Sequence, residues 1–196
     1  MDDAPVNHAG WDGSDVVPLL RGRFGRPFSF VERCTSTQRL LDGAAEGAVV
    51  ATNEQTEGRG RLGRTWHAPA GSSVLFSIVL VPPVPADRLP ELSLVAGEAV
   101  AEAIAAESAL ATTLKHPNDV LIRGRKVAGV LAEARDGRVV LGIGINVTQR
   151  RDELAAAEPE ATSLALEGAA VDRAALLAAV LERLERRYDA WVSGAR

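Results

Sequence analysis

The chain has 196 residues, of which 46% are hydrophobic, 24% are charged and 4% are aromatic, and its formal net charge is −4. This length suits one domain with a substantial core, and the composition is that of an ordinary globular protein. An acidic balance argues against a general nucleic-acid binder, which needs a broad positive surface. No apolar run reaches the ~18 residues that a membrane-spanning helix requires.

The chain contains a single cysteine, Cys34, so it cannot form an internal disulfide or a cysteine-based metal cluster. Asp2 and Asp3 stand where a secretory signal would carry basic residues, and no apolar segment follows them. These features predict a protein of a reducing compartment, and we expect it to be cytoplasmic.

The first part of the chain alternates loop-forming and strand-forming segments. Residues 1–27 are rich in Gly, Asp and Pro and are expected to be a loosely ordered arm. The following residues predict strands over 28–31, 48–52 and 73–81, and a short helix over 38–45. Three prolines after residue 81 end the last of these strands.

The second part begins with helical periodicity over 89–107. Three successive strands follow over 120–122, 126–133 and 138–147, with hairpin turns at Gly124-Arg125 and Asp136-Gly137. A final amphipathic helix starts near Asp172. Strands grouped in hairpins with long helices between them predict an α+β fold, with a mixed, largely antiparallel sheet and helices packed on it.

Residues 58–66 form a segment that we call the arginine loop. It reads Gly58-Arg59-Gly60-Arg61-Leu62-Gly63-Arg64 and is followed closely by Trp66. Three guanidinium groups cannot all be buried unpaired, and three glycines disfavour both helix and strand. From Glu57 to Trp66 the charge is +2, so the rest of the chain carries −6. This focused charge predicts a mobile loop that binds an anion.

The arginine loop has four alternative interpretations. The G-x-G-x-x-G dinucleotide motif must open a helix directly after a strand, whereas polar residues 53–57 precede this loop and Pro69 and Gly71 follow it. A phosphate-binding P-loop would end in Gly-Lys-Ser or Gly-Lys-Thr, which is missing. An RNA-binding arginine–glycine segment and a plain solvated loop remain open.

Two further segments combine polar residues with strand ends. Residues 115–119, Lys-His-Pro-Asn-Asp, form either a plain turn or part of a site. Lys126 opens an apolar strand, either as a snorkelling end residue or as a functional amine. Gly129 inside that strand indicates close approach by a ligand or by another backbone.

The segment Gly142-Ile143-Gly144-Ile145-Asn146 places two glycines at alternate strand positions, and therefore on one face. That face could accept a flat ligand against the backbone, or it could pack tightly against a helix. Asn146 at the strand end offers an amide to a polar group.

Taken in order, these motifs resemble the biotin–protein ligases, also called biotin–acetyl-CoA-carboxylase ligases. The resemblance covers about residues 28–150 and weakens through the final helix. It rests on Ser36-Thr37-Gln38, Gln55, GRGRLGRTW, KHPNDV, KVAGVLAE and GIGINV. It implies the catalytic-domain fold that biotin and lipoate ligases share.

The resemblance implies an ATP-dependent ligase that converts biotin to biotinyl-5'-AMP and then transfers biotin to a lysine of a carboxylase carrier domain. The implied substrate is biotin and the implied cofactors are ATP and Mg²⁺, with Mg²⁺ carried by ATP and no dedicated metal site. The reaction brings a carboxylate and a phosphate together, so preorganised cations must offset their repulsion. A glycine-rich loop that closes over the adenylate would exclude water.

The resemblance also implies roles for individual residues. Lys126 is the leading catalytic candidate, followed by Arg61, and Lys115 and Asp119 are assigned to the transfer step. The implied biotin-binding residues are Ser36, Thr37, Gln38, Gln55, Arg59, Gly60, Arg61, Lys126, Gly129, Gly142 and Gly144. The implied ATP-binding residues are Arg59, Arg61, Arg64, Trp66, Asn118, Lys126 and Asn146.

The chain departs from the family pattern at His116, where Trp is usual, and at Gln38, where Asn is frequent. We expect residues 28–196 to be a ligase catalytic domain, with no N-terminal DNA-binding domain and no C-terminal SH3-like domain. The expected partner is a biotin carboxyl carrier domain, not DNA or a membrane, and both a monomer and a homodimer are open. The alternatives are a lipoate or octanoate ligase of the same fold and a non-enzymatic RNA-binding module.

Overall fold

The computed structural model describes residues 11–155 and 160–194. The strands are β1 Phe28–Cys34, β2 Val49–Gln55, β3 Ser73–Leu80, β4 Thr113–Lys115, β5 Asp119–Ile122, β6 Arg125–Arg135 and β7 Arg138–Asn146. The α-helices are α1 Leu92–Ser108, α2 Arg151–Ala155 and α3 Arg173–Ser193. Short 3₁₀ helices span Val17–Leu19, Thr37–Leu41, Arg61–Gly63 and Ala86–Glu91.

All seven strands belong to one sheet in the order β1-β2-β3-β7-β6-β5-β4. The β1–β2 pair is parallel, and every other neighbouring pair is antiparallel. The predicted α+β fold with a mixed, largely antiparallel sheet is therefore confirmed.

The two faces of the sheet serve different purposes. On β3, Val74, Phe76, Ile78 and Leu80 are buried in the main core, which α1 and α3 also line. Because side chains alternate along a strand, the residues between them point to the opposite face. The 3₁₀ helix Thr37–Leu41 packs on that opposite face against β2, β3 and β7.

Several element boundaries differ from the sequence prediction. The helix predicted over 89–107 starts as the 3₁₀ helix Ala86–Glu91, because Pro90 has no N–H to donate, and becomes α-helical only at Leu92. The tight turn predicted at Gly124-Arg125 lies one residue earlier, where Arg123 and Gly124 both have positive φ. Strand β4 and helix α2 were not predicted, since each is too short for a periodic signal.

Residues 11–27 are not the loosely ordered arm that the sequence suggested. Trp11, Val16, Leu20 and Phe24 are each no more than 9% exposed and belong to the main core. Three of these apolar residues recur at four-residue spacing, a pattern that the abundant Gly, Asp and Pro obscured. Residues 1–10, the start of the predicted arm, lie outside the described residues.

Arg173 ties this N-terminal segment to the final helix. Its guanidinium donates to Asn53 Oδ1 at 3.0 Å and lies 4.9 Å from the Trp11 ring centroid. Arg173 is only 9% exposed, and this burial lowers the pKa of its guanidinium. The Asn53 amide in turn donates to the Glu32 carboxylate.

We predict that Arg173→Ala lowers the free energy of unfolding by about 2–4 kcal/mol, because it removes a buried cation that is bonded to Asn53 and packed on the Trp11 ring. Urea denaturation measures this change. Arg186→Ala on the same helix is the control, since its ion pair with Glu102 is largely exposed and should contribute less than about 1 kcal/mol. Equal losses for the two variants would contradict the prediction.

No helix within residues 11–155 and 160–194 has the length and apolar character needed to cross a bilayer.

Candidate functional site

A cavity of about 290 Å³ opens on the sheet face opposite α1 and α3. Strands β3, β6 and β7 form its floor, and the 3₁₀ helix Thr37–Leu41, the arginine loop and the β4–β5 turn form its walls. Motifs far apart in the sequence therefore meet at one place. The predicted residues that line it are Ser36, Thr37, Gln38, Gln55, Arg59, Gly60, Arg61, Arg64, Trp66, Lys115, Asn118, Asp119, Lys126, Gly129, Gly142 and Gly144.

One end of the cavity is lined by buried hydroxyl and amide groups. The Thr37 backbone N–H donates to Gln55 Oε1 at 2.9 Å, and the hydroxyls of Thr37 and Ser77 lie 2.7 Å apart. Ser77 was not predicted, although a serine within the apolar strand SVLFSIVL is the signal that could have found it. This end suits a neutral ligand group with several hydrogen-bonding atoms.

Gln38 covers one of the glycines expected to form a bare wall. Its Nε2 donates to the carbonyls of Leu131 on β6 and Val140 on β7, at 3.4 and 3.3 Å. A Cβ at Gly142 would lie 3.1 Å from the Gln38 side-chain carbonyl carbon. A side chain at position 142 would therefore require Gln38 to shift by a few tenths of an ångström from its place between the two strands.

Trp66 covers the other two glycines. Gly129 and Gly144 pair in register across β6 and β7, and a Cβ would come within 3.0 Å of the indole at Gly129 and 2.6 Å at Gly144. The bare glycine wall expected from the sequence is therefore not open at these two positions in this structure. The half-buried indole lies there instead, so its outer face forms the wall of the cavity.

Lys126 projects into the cavity beside this indole. Its Nζ lies 5.5 Å from the Trp66 ring centroid and 3.2 Å from Asp119 Oδ1. Lys126 pairs with Leu121, whereas Ala128 pairs with Val120, which leaves one extra residue on β6 after the lysine. Such a bulge turns the neighbouring side chain, and here the Lys126 amine beside the bulge points into the cavity.

The arginine loop folds over the cavity mouth. Within the loop, the backbone N–H of Gly60 donates to Arg64 O at 2.7 Å. Arg59 donates to Glu133 Oε2 at 2.7 Å, and Arg61 donates to Asn118 Oδ1 at 3.2 Å. These two contacts join the loop to β6 and to the β4–β5 turn.

Leu62 lies at the tip of the loop, 90% exposed, with a φ of +58° that leucine rarely adopts. Glu133 was not predicted as part of the site, because a glutamate at the end of a strand carries no signal of its own.

Residues 115–119 form the β4–β5 hairpin rather than a plain connection. Lys115 and Asp119 face each other across it, and Lys115 is exposed at the cavity rim with His116. The Asn118 amide donates to Val130 O at 2.9 Å, so its carbonyl is directed at Arg61.

Asn146 is the predicted site residue that the structure does not bring to the cavity. It is 4% exposed, its Nδ2 donates to Thr162 O at 3.0 Å, and its Oδ1 accepts from Gln149. Asn146 is the last residue of β7 and lies beyond the cavity floor. Its amide therefore bonds with the segment after α2. Burial raises the pKa of Cys34, which pairs with Gln55 across β1 and β2, so its thiol stays protonated at neutral pH.

The cavity is strongly positive within an acidic chain. Five cationic side chains line it, against the carboxylate of Asp119. They are Arg59, Arg61, Arg64, Lys115 and Lys126. Cations fixed in a partly buried cleft attract anionic ligands and stabilise charge that develops during a reaction. The arrangement can therefore bind a polyanion beside a neutral polar group.

Residues 30–149 match the model of the biotin/lipoate A/B protein ligase family. This span is more than half of the chain, and the chain belongs to that family.

The chain is 45% identical over 159 residues to the biotin–[acetyl-CoA-carboxylase] ligase of Mycobacterium tuberculosis, covering 78% of this chain and 59% of that protein. It is 37% identical over 176 residues to the bifunctional ligase/repressor BirA of Bacillus spizizenii, covering 84% and 54% respectively. The chain thus spans little more than half the length of these curated relatives.

Among solved structures, the biotin protein ligase of Aquifex aeolicus in complex with biotin and ATP aligns with a TM-score of 0.77 at 34% identity. The alignment covers 85% of this chain and 72% of that chain.

Proposed function

We propose that this chain activates biotin with ATP to biotinyl-5'-AMP and transfers the biotinyl group to a lysine of a carboxylase biotin carrier domain. One observation carries the proposal: the Lys126 amine, paired with Asp119, projects into a cationic cavity that ends in a neutral polar pocket. The similarity to the Aquifex aeolicus ligase bound to biotin and ATP supports it.

In this proposal the ureido ring of biotin enters the polar end of the cavity. The buried side chains of Ser36, Thr37 and Gln38 and the half-buried amide of Gln55 would bind it, since a ureido group needs both donors and acceptors. The acyl chain would then run past the Trp66 indole, which Gly129 and Gly144 support from behind, towards Lys126. Arg59 and Gly60 would close over it from the loop.

The first chemical step joins two anions. A carboxylate oxygen of biotin attacks the α-phosphorus of ATP, and the bond from that phosphorus to the bridging oxygen breaks to release pyrophosphate. Lys126 would leave Asp119 to bind both the carboxylate and the α-phosphate, and thus stabilise the added charge of the transition state. Arg59, Arg61 and Arg64 would bind the phosphates, with Mg²⁺ entering as the counter-ion of ATP.

On the nucleotide side of the proposed site, Trp66 and Asn118 would contact ATP beside these arginines. Asn146 is left out of the proposed site because it does not line the cavity and its amide is bonded to Thr162 and Gln149.

The second step transfers the acyl group. The amine of the carrier lysine attacks the carbonyl carbon of the mixed anhydride, the bond to the phosphate oxygen breaks, and AMP leaves. Asp119 would accept the proton that the amine loses, once Lys126 has moved to the phosphate. Lys115 at the rim would attract the AMP phosphate or acidic residues of the carrier.

The cytoplasmic location expected from the sequence stays a prediction.

Isotope exchange between ATP and pyrophosphate tests the proposal, because it requires reversible adenylate formation without the carrier. We expect exchange with biotin and none above background without it. Exchange with lipoate or octanoate but not with biotin would instead assign the chain to the lipoate branch of the family. Salt-sensitive RNA retention on filters without any exchange would support the RNA-binding alternative.

We predict that Gly144→Ala weakens biotin binding at least about 10-fold, the size of effect expected when one added methyl group displaces an aromatic wall. The new Cβ would lie 2.6 Å from the Trp66 ring, so the indole must move into the cavity. Isothermal titration with biotin measures the loss. Gly194→Ala is the control, because its Cβ would meet only ordinary contacts near 3.5 Å. Unchanged affinity in Gly144→Ala would contradict the proposed wall.

A further inference from the structure

A buried polar cluster lies behind Lys126 and plays no part in the steps above. Its centre is Glu167, whose side chain is fully buried although it is a carboxylate. We propose that Glu167 is a positioning residue that fixes Lys126 in the cavity. This inference rests on the proposed function, in which Lys126 is the catalytic amine.

The first step of the argument is the backbone around Lys126. The Lys126 N–H donates to Glu160 O at 3.0 Å, and its carbonyl accepts from the Thr162 N–H at 2.7 Å. Lys126 therefore forms a parallel bridge with residue 161, on the strand edge next to the bulge of β6. Because a bulge interrupts regular pairing, this added bridge determines how the backbone of Lys126 is oriented.

The second step is how Glu167 holds the bridging segment. Its Oε1 accepts from the Thr162 hydroxyl at 2.5 Å and from Arg125 Nη2 at 2.6 Å. Thr162 is completely buried, and Arg125 directly precedes Lys126 in the sequence. One carboxylate thus binds both Arg125, the residue before Lys126, and Thr162, whose N–H donates to the Lys126 carbonyl.

Glu167 also stabilises the β5–β6 turn. Its Oε2 lies 3.3 Å from Arg123 Nη1, and Arg123 has a φ of +51°, a conformation that non-glycine residues rarely adopt. The Arg123 side chain is 70% exposed, so this ion pair is the weaker of the two. Arg125, 33% exposed, is the principal cationic partner.

A second set of bonds fixes Thr162 from the opposite side. Asn146 donates to the Thr162 carbonyl, and Gln149 donates to Asn146 Oδ1 at 2.9 Å and to Ser73 Oγ at 2.5 Å. Thr162 is therefore bonded through its N–H, its hydroxyl and its carbonyl. Loss of the Glu167 charge should loosen the Lys126 bridge without removing any group that contacts a ligand.

The chain offers a direct readout, because it contains two lysines, Lys115 and Lys126. Reductive methylation with ¹³C-formaldehyde gives each lysine a dimethylamine NMR signal, and Lys115→Arg assigns them. We expect the Lys126 signal of Glu167→Gln to move towards that of the exposed Lys115, because the amine moves away from Trp66 and Asp119. An unmoved Lys126 signal in the folded variant would overturn the inference, whether or not the chain is a ligase.

The matched control is Glu185→Gln, which also removes a mostly buried carboxylate. Glu185 accepts from the Phe24 N–H at 2.8 Å and pairs with Arg23, far from the cavity. We expect this variant to lose stability and keep the Lys126 signal. If Glu167→Gln does not fold, Arg125→Gln weakens the same contact from its exposed side and must shift the same signal.

Kinetics give the second readout. In biotin-dependent pyrophosphate exchange, we expect Glu167→Gln to lower kcat about 10-fold or more with the KM for ATP and biotin within about twofold, as for an interaction made in the transition state. Raised KM with unchanged kcat would refute a positioning role. Absence of exchange in the unmodified chain would refute the proposed function alone, and the NMR result would still decide the role of Glu167.

Discussion

Lys126→Ala is expected to lower the rate of biotin-dependent pyrophosphate exchange by about 10³-fold, the upper range for removal of one preorganised charge-stabilising group. The amine is the cation that the structure places deepest in the cavity, 3.2 Å from Asp119 and 5.5 Å from the Trp66 ring centroid. Its loss removes the group proposed to bind both reacting anions, so their repulsion is no longer offset at the point of attack.

The fold should survive this substitution. Lys126 and Asp119 are 16% and 19% exposed, so loss of the amine leaves one carboxylate without its ion pair at a cost of about 1–3 kcal/mol. Typical domains have roughly 5–15 kcal/mol of stability. Circular dichroism and urea denaturation check that the variant is folded.

Arg135→Ala is the matched control for Lys126→Ala. Arg135 lies on the same strand, carries the same charge and has a side chain that is 88% exposed, outside the cavity. We expect exchange to stay within about twofold of the unmodified chain, as for most exposed substitutions. Near-normal exchange in Lys126→Ala would rule out its proposed role.

The parts of this fold that depend on local chemistry could be predicted from the sequence. Strand β3 was predicted from its apolar run, and the β6–β7 hairpin from its strands and Asp136-Gly137, which adopts positive φ at both residues. Both signals lie within a few neighbouring residues. Short elements such as β4 have too few residues to show a period, and they form because neighbouring strands pair with them.

The composition of the cavity could also be predicted, but its internal contacts could not. Trp66 and Gly144 are 78 positions apart, and no sequence pattern states that the indole lies on the glycine. The opposite error occurred at Asn146, which was predicted to bind ATP because it is a polar residue at a strand end next to the site. Its amide bonds instead with the segment after α2. That segment also contains Glu167, whose buried position depends on the completed fold.

The arginine loop has features that the sequence predicts and contacts that only the structure reveals. Its charge and glycines are evident from the sequence, whereas its contacts with Glu133 and Asn118 are evident only in the structure. The loop thus has a defined closed arrangement, with Arg61 reaching the β4–β5 turn on the other side of the cavity mouth. Arg59 and Arg64 can also attract phosphate, whereas this contact belongs to Arg61. Removal of Arg61 should therefore affect closure of the loop more than binding of phosphate.

Arg61→Ala is therefore expected to release bound biotinyl-5'-AMP about 10- to 100-fold faster, while the Kd for ATP alone changes less than about threefold. A loss of about 1.4–2.7 kcal/mol corresponds to this range and matches a charge-assisted hydrogen bond. Dissociation of radiolabelled adenylate followed by rapid filtration measures the first quantity, and isothermal titration measures the second.

Arg39→Ala provides the comparison that isolates the role of Arg61. Arg39 pairs with Glu57 at 2.7 Å at the base of the same loop, outside the cavity lining, so it has the same charge near the same backbone. Its variant should retain the adenylate normally. An unchanged release rate in Arg61→Ala, or an equal increase in Arg39→Ala, would mean that the loop does not retain the adenylate through Arg61. A faster release confined to Arg61→Ala would instead tie retention to the side chain that reaches Asn118 across the cavity mouth.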